Sequence, residues 1–212
     1  MGPDAEILWE VAQVLAREAA EVSGAPRRAL PPLLFFTDPV RTPRPWETAE
    51  RLPAGAGVVY RHFGATDARE TALRLRDVTA RRDLRLLIGL DAALADAVGA
   101  DGVHLPERAL DQAAGLAKAQ PHWLLTGAAH GAAALVHTVP LDAVVISPVF
   151  AAGGVSSLTS ALGLPAFIAL VHVAPVPVYA LGGINTQTAR SLVGSGACGL
   201  AGVSAIQSAI GG

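Results

Sequence analysis

Short apolar runs recur along the chain, separated by polar stretches with helical spacing. Leu33-Leu34-Phe35-Phe36-Thr37 is the first, and Gly57-Val58-Val59-Tyr60-Arg61 the second. Leu84 to Ile88, Gly102 to Leu105, Trp123 to Thr126, Ala143 to Ser147, Val176 to Ala180 and Leu200 to Val203 complete the series. Unbroken apolar runs of this length read as buried parallel strands rather than as alternating, half-solvated ones. The intervening stretches predict helices near 67–82, 92–98, 110–118, 132–137, 165–173 and 186–193. Pro175 and Pro177 flank the start of the seventh run, where proline is tolerated. Ahead of the series, Asp4 can cap a helix over 4–20 that places Ile7, Leu8, Val11, Val14 and Leu15 on one face.

Eight strand–helix units without a linker predict a parallel sheet. Doubly wound open sheets alternate in the same way, but usually with fewer strands. The expected fold is therefore α/β, a (β/α)8 TIM barrel with an extra N-terminal helix. One domain over 1–212 is expected, with the helix at 4–20 and the barrel at 33–206. The N-terminal helix could plug the barrel floor or pack outside.

Composition narrows the function classes. Of the 212 residues, 51% are hydrophobic and 16% charged, which excludes disorder and fits an α/β protein with helices covering a buried sheet. A net charge of −2 leaves no electrostatic footprint for nucleic acid. No run reaches the roughly 18 apolar residues of a membrane span. The opening Met1-Gly2-Pro3-Asp4-Ala5-Glu6 is acidic where a signal peptide would be basic, so a cytoplasmic location is expected. The lone cysteine, Cys198, excludes an intramolecular disulfide and reads as small core filler. A homo-oligomer is left open.

The chemistry points to the last two strand ends. Val178-Tyr179-Ala180-Leu181-Gly182-Gly183-Ile184-Asn185 and Gly199-Leu200-Ala201-Gly202-Val203-Ser204-Ala205-Ile206 each finish an apolar run in glycine before a helix start. Glycine lets an anion approach backbone N–H groups, and the following helix adds positive dipole. In a (β/α)8 barrel these loops form the phosphate site, so a small phosphorylated molecule is the expected partner. Other candidates at strand ends are Asp38, Arg41, Arg44, Arg61, His62, His104, Glu107, Arg108, His130, Ser147, Ser156, Ser157, Thr159 and Asn185. The stretch Gly153-Gly154-Val155-Ser156-Ser157 has the composition of a mobile lid.

Several segments resemble the thiamine-phosphate synthase / TenI family. They are Ala100-Asp101-Gly102-Val103-His104-Leu105, Ser147-Pro148-Val149-Phe150, Ala180-Leu181-Gly182-Gly183-Ile184 and Gly202-Val203-Ser204-Ala205-Ile206, with Phe36-Thr37-Asp38 at the first strand end. The resemblance runs in family order from about Leu33 to Ile206. It implies a (β/α)8 barrel of thiamine biosynthesis holding a thiazole phosphate on Gly182, Gly183, Gly202, Val203 and Ser204. Thr37, His104 and Ser147 would line the rest of the pocket. The synthase branch joins an aminopyrimidine diphosphate to the thiazole phosphate with Mg2+. The TenI branch isomerises a thiazole carboxylate phosphate by proton transfer. Arg61 and His130 are the implied catalytic residues, and no metal ligand is assigned.

Departures from the family pattern fall on the synthase half of the site. Phe63 stands where a lysine is usual, and Gly89-Leu90 where Asn-Asp is usual. Pro106-Glu107-Arg108-Ala109 replaces the segment carrying the second Mg2+ carboxylate, and Gly127-Ala128-Ala129-His130 replaces a Gly-x-Ser turn. In the sixth loop, Ala151, Ala152, Gly154 and Val155 replace diphosphate-holding residues. A departing diphosphate needs a metal or cationic clamps. Mg2+ is therefore expected as a cofactor only if this is a diverged synthase, with Asp91 and Glu107 as substitute carboxylates. His130 matches the TenI histidine that moves the proton, a task imidazole suits. It is also readable as a loop histidine without function, and His104 as a structural one. Four readings stay open: a TenI-like isomerase, a diverged synthase, a non-catalytic phosphate-binding homologue, and an unrelated phosphosugar-type barrel enzyme.

Overall fold

Eight strands hydrogen-bond in sequence order, and β8 closes onto β1. In this computed structural model, residues 1–23, 28–151 and 160–211 are described. The strands are β1 (Leu33–Phe36), β2 (Gly57–Tyr60), β3 (Arg85–Gly89), β4 (Gly102–Leu105), β5 (Leu124–Ala129), β6 (Ala143–Ile146), β7 (Val178–Leu181) and β8 (Gly199–Gly202). All neighbouring pairs are parallel. The fold is a (β/α)8 TIM barrel preceded by one helix.

That helix, α1 (Pro3–Ser23), begins one residue before Asp4. Proline is pre-set for a first helical position, so Asp4 lies inside the first turn rather than at the cap. Ala5, Leu8, Val11, Ala12 and Leu15 are buried on it. It packs on β8 and on α8 (Thr186–Arg190) and α9 (Ser204–Ile210), which settles the outside position rather than the floor. Among the described residues no helix is long and apolar enough to cross a membrane.

The remaining helices are α2 (Pro45–Ala49), α3 (Ala68–Arg81), α4 (Ala92–Ala97), α5 (Ala113–Ala119), α6 (Ala132–Leu135) and α7 (Leu164–Val173). A short 3-10 helix spans Glu107–Gln112. Some bounds differ from the sequence pattern for physical reasons. β5 runs three residues further, through Gly127-Ala128-Ala129, because β6 pairs with these small residues in register. β7 starts later because Pro177 has no N–H to give; its carbonyl instead accepts from Val144 N at 2.8 Å. The helix α2 was hidden in a proline-rich loop, where Pro45 takes the first helical position.

Alternate strand residues fill the barrel. Leu34, Phe36, Val59, Leu87, Ala143, Val145, Tyr179 and Ala201 form one buried cluster inside it. The other set, including Leu33, Phe35, Val58, Leu86 and Val103, faces the helices. Cys198 belongs to the inner cluster, and burial pushes its thiol pKa well up, which fits an inert filler. Gly102 is required by close approach: a Cβ there would lie 1.9 Å from the Leu124 carbonyl oxygen.

Carboxylates tie down the starts of two strands. Asp101, just before β4, accepts from the Leu86 amide of β3 at 2.8 Å and pairs with Arg76 and Arg85. Asp142, just before β6, accepts from the Leu125 amide of β5 at 2.8 Å and pairs with Arg28. An amide in each of β3 and β5 thus gains a charged acceptor from the neighbouring strand start.

Candidate functional site

The C-terminal ends of the strands surround a cavity of about 760 Å3. Its wall brings together Gly182 and Gly183 after β7, Gly202, Val203 and Ser204 at the end of β8, Arg61 after β2, His130 after β5 and Ser147 after β6. Arg41 and Asn185 also line it. The amides of Gly183, Val203 and Ser204 have no acceptor among the described residues.

The glycines are demanded by packing as well as by access. Gly182 and Gly183 sit at φ +100° and +63°, a region L side chains avoid. The chain after β6 lies directly on them, with Val149 N donating to Leu181 O and Phe150 N to Gly182 O. A Cβ on Gly183 would lie 2.5 Å from the Ala151 carbonyl oxygen, and one on Gly182 would lie 2.7 Å from Pro148 Cα. Asn185 is spoken for locally: its side chain accepts from the Gln187 and Thr188 amides and caps α8.

Arg61 is the buried cation of the site. Its Nε donates to the Thr37 carbonyl at 2.8 Å, and its amide donates to Thr37 Oγ1 at 2.9 Å. Thr37 itself is buried and holds Arg61 in place rather than lining the cavity. The guanidinium carbon lies 5.4 Å from the Phe36 ring centre and 5.4 Å from that of Phe63. Its Nη2 is buried with no partner among the described residues. Loss of water pulls the guanidinium down to about 10, against the charge of Asp38 and with that of Arg41, so it stays charged at neutral pH.

Arg41 reaches across from the loop after β1. It pairs with Asp38 at 3.0 Å, and its Nη1 lies 3.5 Å from Ser204 Oγ. Burial works to raise the Asp38 pKa, but hydrogen bonds and charge from Arg41, with the Val40 amide, bring it below the usual value. The cation at the β8 end is therefore oriented by a carboxylate beneath it.

His130 has a defined tautomer. Its Nδ1 lies 2.7 Å from the Ser147 carbonyl oxygen, which can only accept, so Nδ1 carries a proton and in the neutral ring Nε2 bears the lone pair. Its amide donates to Glu107 at 2.7 Å, which anchors the turn after β5. Glu107, Arg108 and His137 line a neighbouring groove that shares His130 with the main cavity.

His104 lies inside the barrel, below the cavity. Its Nδ1 is 2.9 Å from Thr126 Oγ1, and its ring meets Phe36 edge-on. Burial, and secondarily the Arg61 charge, push its pKa down to about 3. It is a neutral, hydrogen-bonded core residue at working pH. An unfolded chain takes up a proton near pH 6.5 that the folded chain refuses until about 3. Stability must therefore fall as pH drops through that window, by roughly 2–3 kcal/mol at two units below the unfolded pKa. Urea midpoints at pH 7.5 and 4.5 check this: His104→Gln should flatten the acid loss seen in the native protein. An equal loss in both would remove His104 as its source.

The other candidates sit apart. Arg44 pairs with Glu47, and His62 lies 3.4 Å from Asp91, which also caps α4 through the Leu94 amide. Ser156, Ser157, Thr159 and the expected lid at 153–157 lie outside the described residues. Pro148, Leu181 and Ile184 contribute apolar surface to the cavity, and the sequence marked them only as members of the motifs.

The donor set does not suit a Mg2+–diphosphate centre. Asp38 is held by Arg41 and two backbone amides, Asp91 by Leu94 and His62, and Glu107 by the His130 amide. Among the described residues no three His, Cys, Asp or Glu side chains come together as metal ligands. Mg2+ is commonly held by one or two carboxylates with waters and substrate phosphates, and each of these carboxylates already carries a protein partner.

Comparison with known proteins places this geometry in a lineage. A family model described as thiamine monophosphate synthase matches residues 42–206. The chain is 34% identical over 164 residues to a thiamine-phosphate synthase of Chloroflexus aurantiacus, covering 74% of this chain and 75% of that one. It is 32% identical over 139 residues to a putative thiamine-phosphate synthase of Geobacter sulfurreducens, covering 65% of each. Among solved structures, the thiamine phosphate pyrophosphorylase from Pyrococcus furiosus superposes with a TM-score of 0.68 over 84% of this chain and 91% of that one. At 22% identity that last likeness speaks for the barrel alone. Sequence relationship and the matched strand ends agree, and the chain belongs to the thiamine monophosphate synthase family.

Proposed function

We propose that this protein binds a thiazole phosphate and isomerises its ring by moving a proton through His130. The observation that carries the reading is the single cavity wall that holds both glycine strand ends and a histidine whose Nδ1 is tied to the Ser147 carbonyl, leaving Nε2 without a partner among the described residues. The phosphate would lie against the amides of Gly183, Val203 and Ser204, with Arg41 alongside. Nε2 takes a proton from one ring position and returns it at the conjugated one. Atoms and electrons balance without a redox partner. The Ser147 carbonyl keeps Nδ1 as the donor throughout, which stabilises the imidazolium formed midway.

A thiazole carboxylate phosphate supplied to the protein should change tautomer, followed by NMR. Thiazole phosphate at a hundredfold excess over its Kd should stabilise the fold by about 2.7 kcal/mol, seen as a raised Tm. Binding without tautomer change would favour a non-catalytic phosphate-binding role. No Tm shift at all would overturn the phosphate assignment.

The names of the relatives favour a second reading, joining of an aminopyrimidine diphosphate to the thiazole phosphate. The engaged carboxylates weigh against it. Pyrophosphate release on mixing both substrates with Mg2+ would establish it.

A further inference from the structure

Two segments that depart from the family pattern, 106–109 after β4 and 127–130 closing β5, meet each other in the barrel. The 3-10 helix Glu107–Gln112 lies beside β5, with Leu110 buried against Gly127. Glycine at 127 leaves the room that Leu110 occupies: a Cβ there would stand 2.5 Å from Leu110 Cδ2. From the first residue of that helix, the Glu107 carboxylate accepts from the His130 amide at 2.7 Å.

Little else braces the turn. His130 is exposed, and the residues around it in the chain, Ala128, Ala129, Gly131, Ala132 and Ala133, are too small to pack an imidazole in place. The helix that follows, α6, has four residues and no side-chain cap. His130 is instead gripped from two sides. Glu107 holds its amide from the β4 side, and Ser147 holds Nδ1 from the β6 side, through the carbonyl at 2.7 Å and the hydroxyl at 3.4 Å. The second grip aims the ring only while the first holds the chain from which the ring hangs. Misplacing a reacting group by about 1 Å can cost 10²-fold in rate.

We propose that Glu107 is a positioning residue for the proton transfer: by accepting from the His130 amide it keeps the imidazole against Ser147, in the tautomer that leaves Nε2 to take the proton. This rests on the isomerase reading above and adds a residue that acts through His130 rather than on the substrate. Glu107 works by reach, not by charge.

Three variants separate reach from charge. Glu107→Gln keeps an acceptor at the same reach and loses the charge. Glu107→Asp keeps the charge and draws the acceptor back by one methylene. Glu107→Ala loses both. Glu107 is exposed, so none of the three removes core packing. Isomerisation kcat should stay within about threefold in Glu107→Gln and fall about 10- to 100-fold in Glu107→Asp and Glu107→Ala. KM and thiazole phosphate affinity should stay within about threefold in all three, because the phosphate contacts lie on the β7 and β8 ends. Nitrogen-15 NMR of the neutral imidazole reads the same contrast without turnover. The native protein and Glu107→Gln should keep the proton on Nδ1, and the other two variants should populate both tautomers.

Native turnover and native ring shifts in Glu107→Asp and Glu107→Ala overturn the proposal. So does a Glu107→Gln variant as slow as Glu107→Ala, which would make the charge the working part. A loss of thiazole phosphate affinity that matches the loss of kcat also overturns it, since Glu107 would then support the whole mouth. The isomerase reading fails separately: it falls if the native protein never changes the thiazole tautomer, and the ring shifts still decide whether Glu107 places His130.

Discussion

His130→Asn should lower the rate of thiazole isomerisation by about 10²- to 10⁴-fold, the usual share of a positioned proton carrier. Asparagine places an N–H where imidazole has Nδ1, so the bond to the Ser147 carbonyl, 2.7 Å in the native protein, is kept. What is lost is Nε2, the atom that takes the proton. Affinity for thiazole phosphate should stay within about threefold, because the phosphate contacts lie on the β7 and β8 ends. Single-turnover NMR of the tautomer change, alongside calorimetry, separates the two effects. Unchanged turnover would remove His130 from the chemistry. A fall in affinity matching the fall in rate would make it a binding residue instead.

Gly183→Val should abolish phosphate binding and weaken the fold together. A side chain there meets the left-handed backbone, φ +63°, and a Cβ contact of 2.5 Å with the Ala151 carbonyl. Adding the left-handed penalty to the cost of overpacking gives about 3–4 kcal/mol. Relief requires the chain after β6 to lift off the β7 end, which moves the Gly183 amide from the cavity. Thiazole phosphate affinity should fall roughly 100-fold or more, as loss of about 3 kcal/mol implies. Gly183→Ala should show the same signs to a smaller degree. Tm with and without thiazole phosphate checks both. Preserved ligand stabilisation in Gly183→Val would mean that the phosphate sits elsewhere.

Much of this fold was legible in the chain because its signals were local. Eight buried strands give eight continuous apolar runs, and the closing pair announces itself by Gly182-Gly183 and Gly202. Boundaries were less legible where pairing overrides propensity. Gly127-Ala128-Ala129 favours no strand by itself and is extended only because Val144, Val145 and Ile146 lie beside it. The site was readable as a set of residue types but not as a set of partners. Nothing local says that Arg61 is flanked by Phe36, 25 positions earlier, or that the Ser147 carbonyl selects the His130 tautomer. Thr37, His104 and Ser147 carry equal weight in the sequence. In three dimensions Thr37 holds Arg61, His104 is core, and Ser147 meets His130 through its backbone carbonyl. Glu107 and His130 register in the sequence only as separate substitutions, and the bond between them gives them a common meaning.

The carboxylates at the opposite end of the barrel have a bearing on how such a protein can change. Asp101 and Asp142 fasten adjoining strands through the Leu86 and Leu125 amides, and their arginine partners lie at that same end. Distant sites contribute additively to stability. Rebuilding the mouth therefore leaves this fastening intact. One end works as a chassis and the other as an interchangeable fitting. A designer could graft new loops onto the cavity of this barrel while reading the integrity of the scaffold from Asp101 and Asp142 alone.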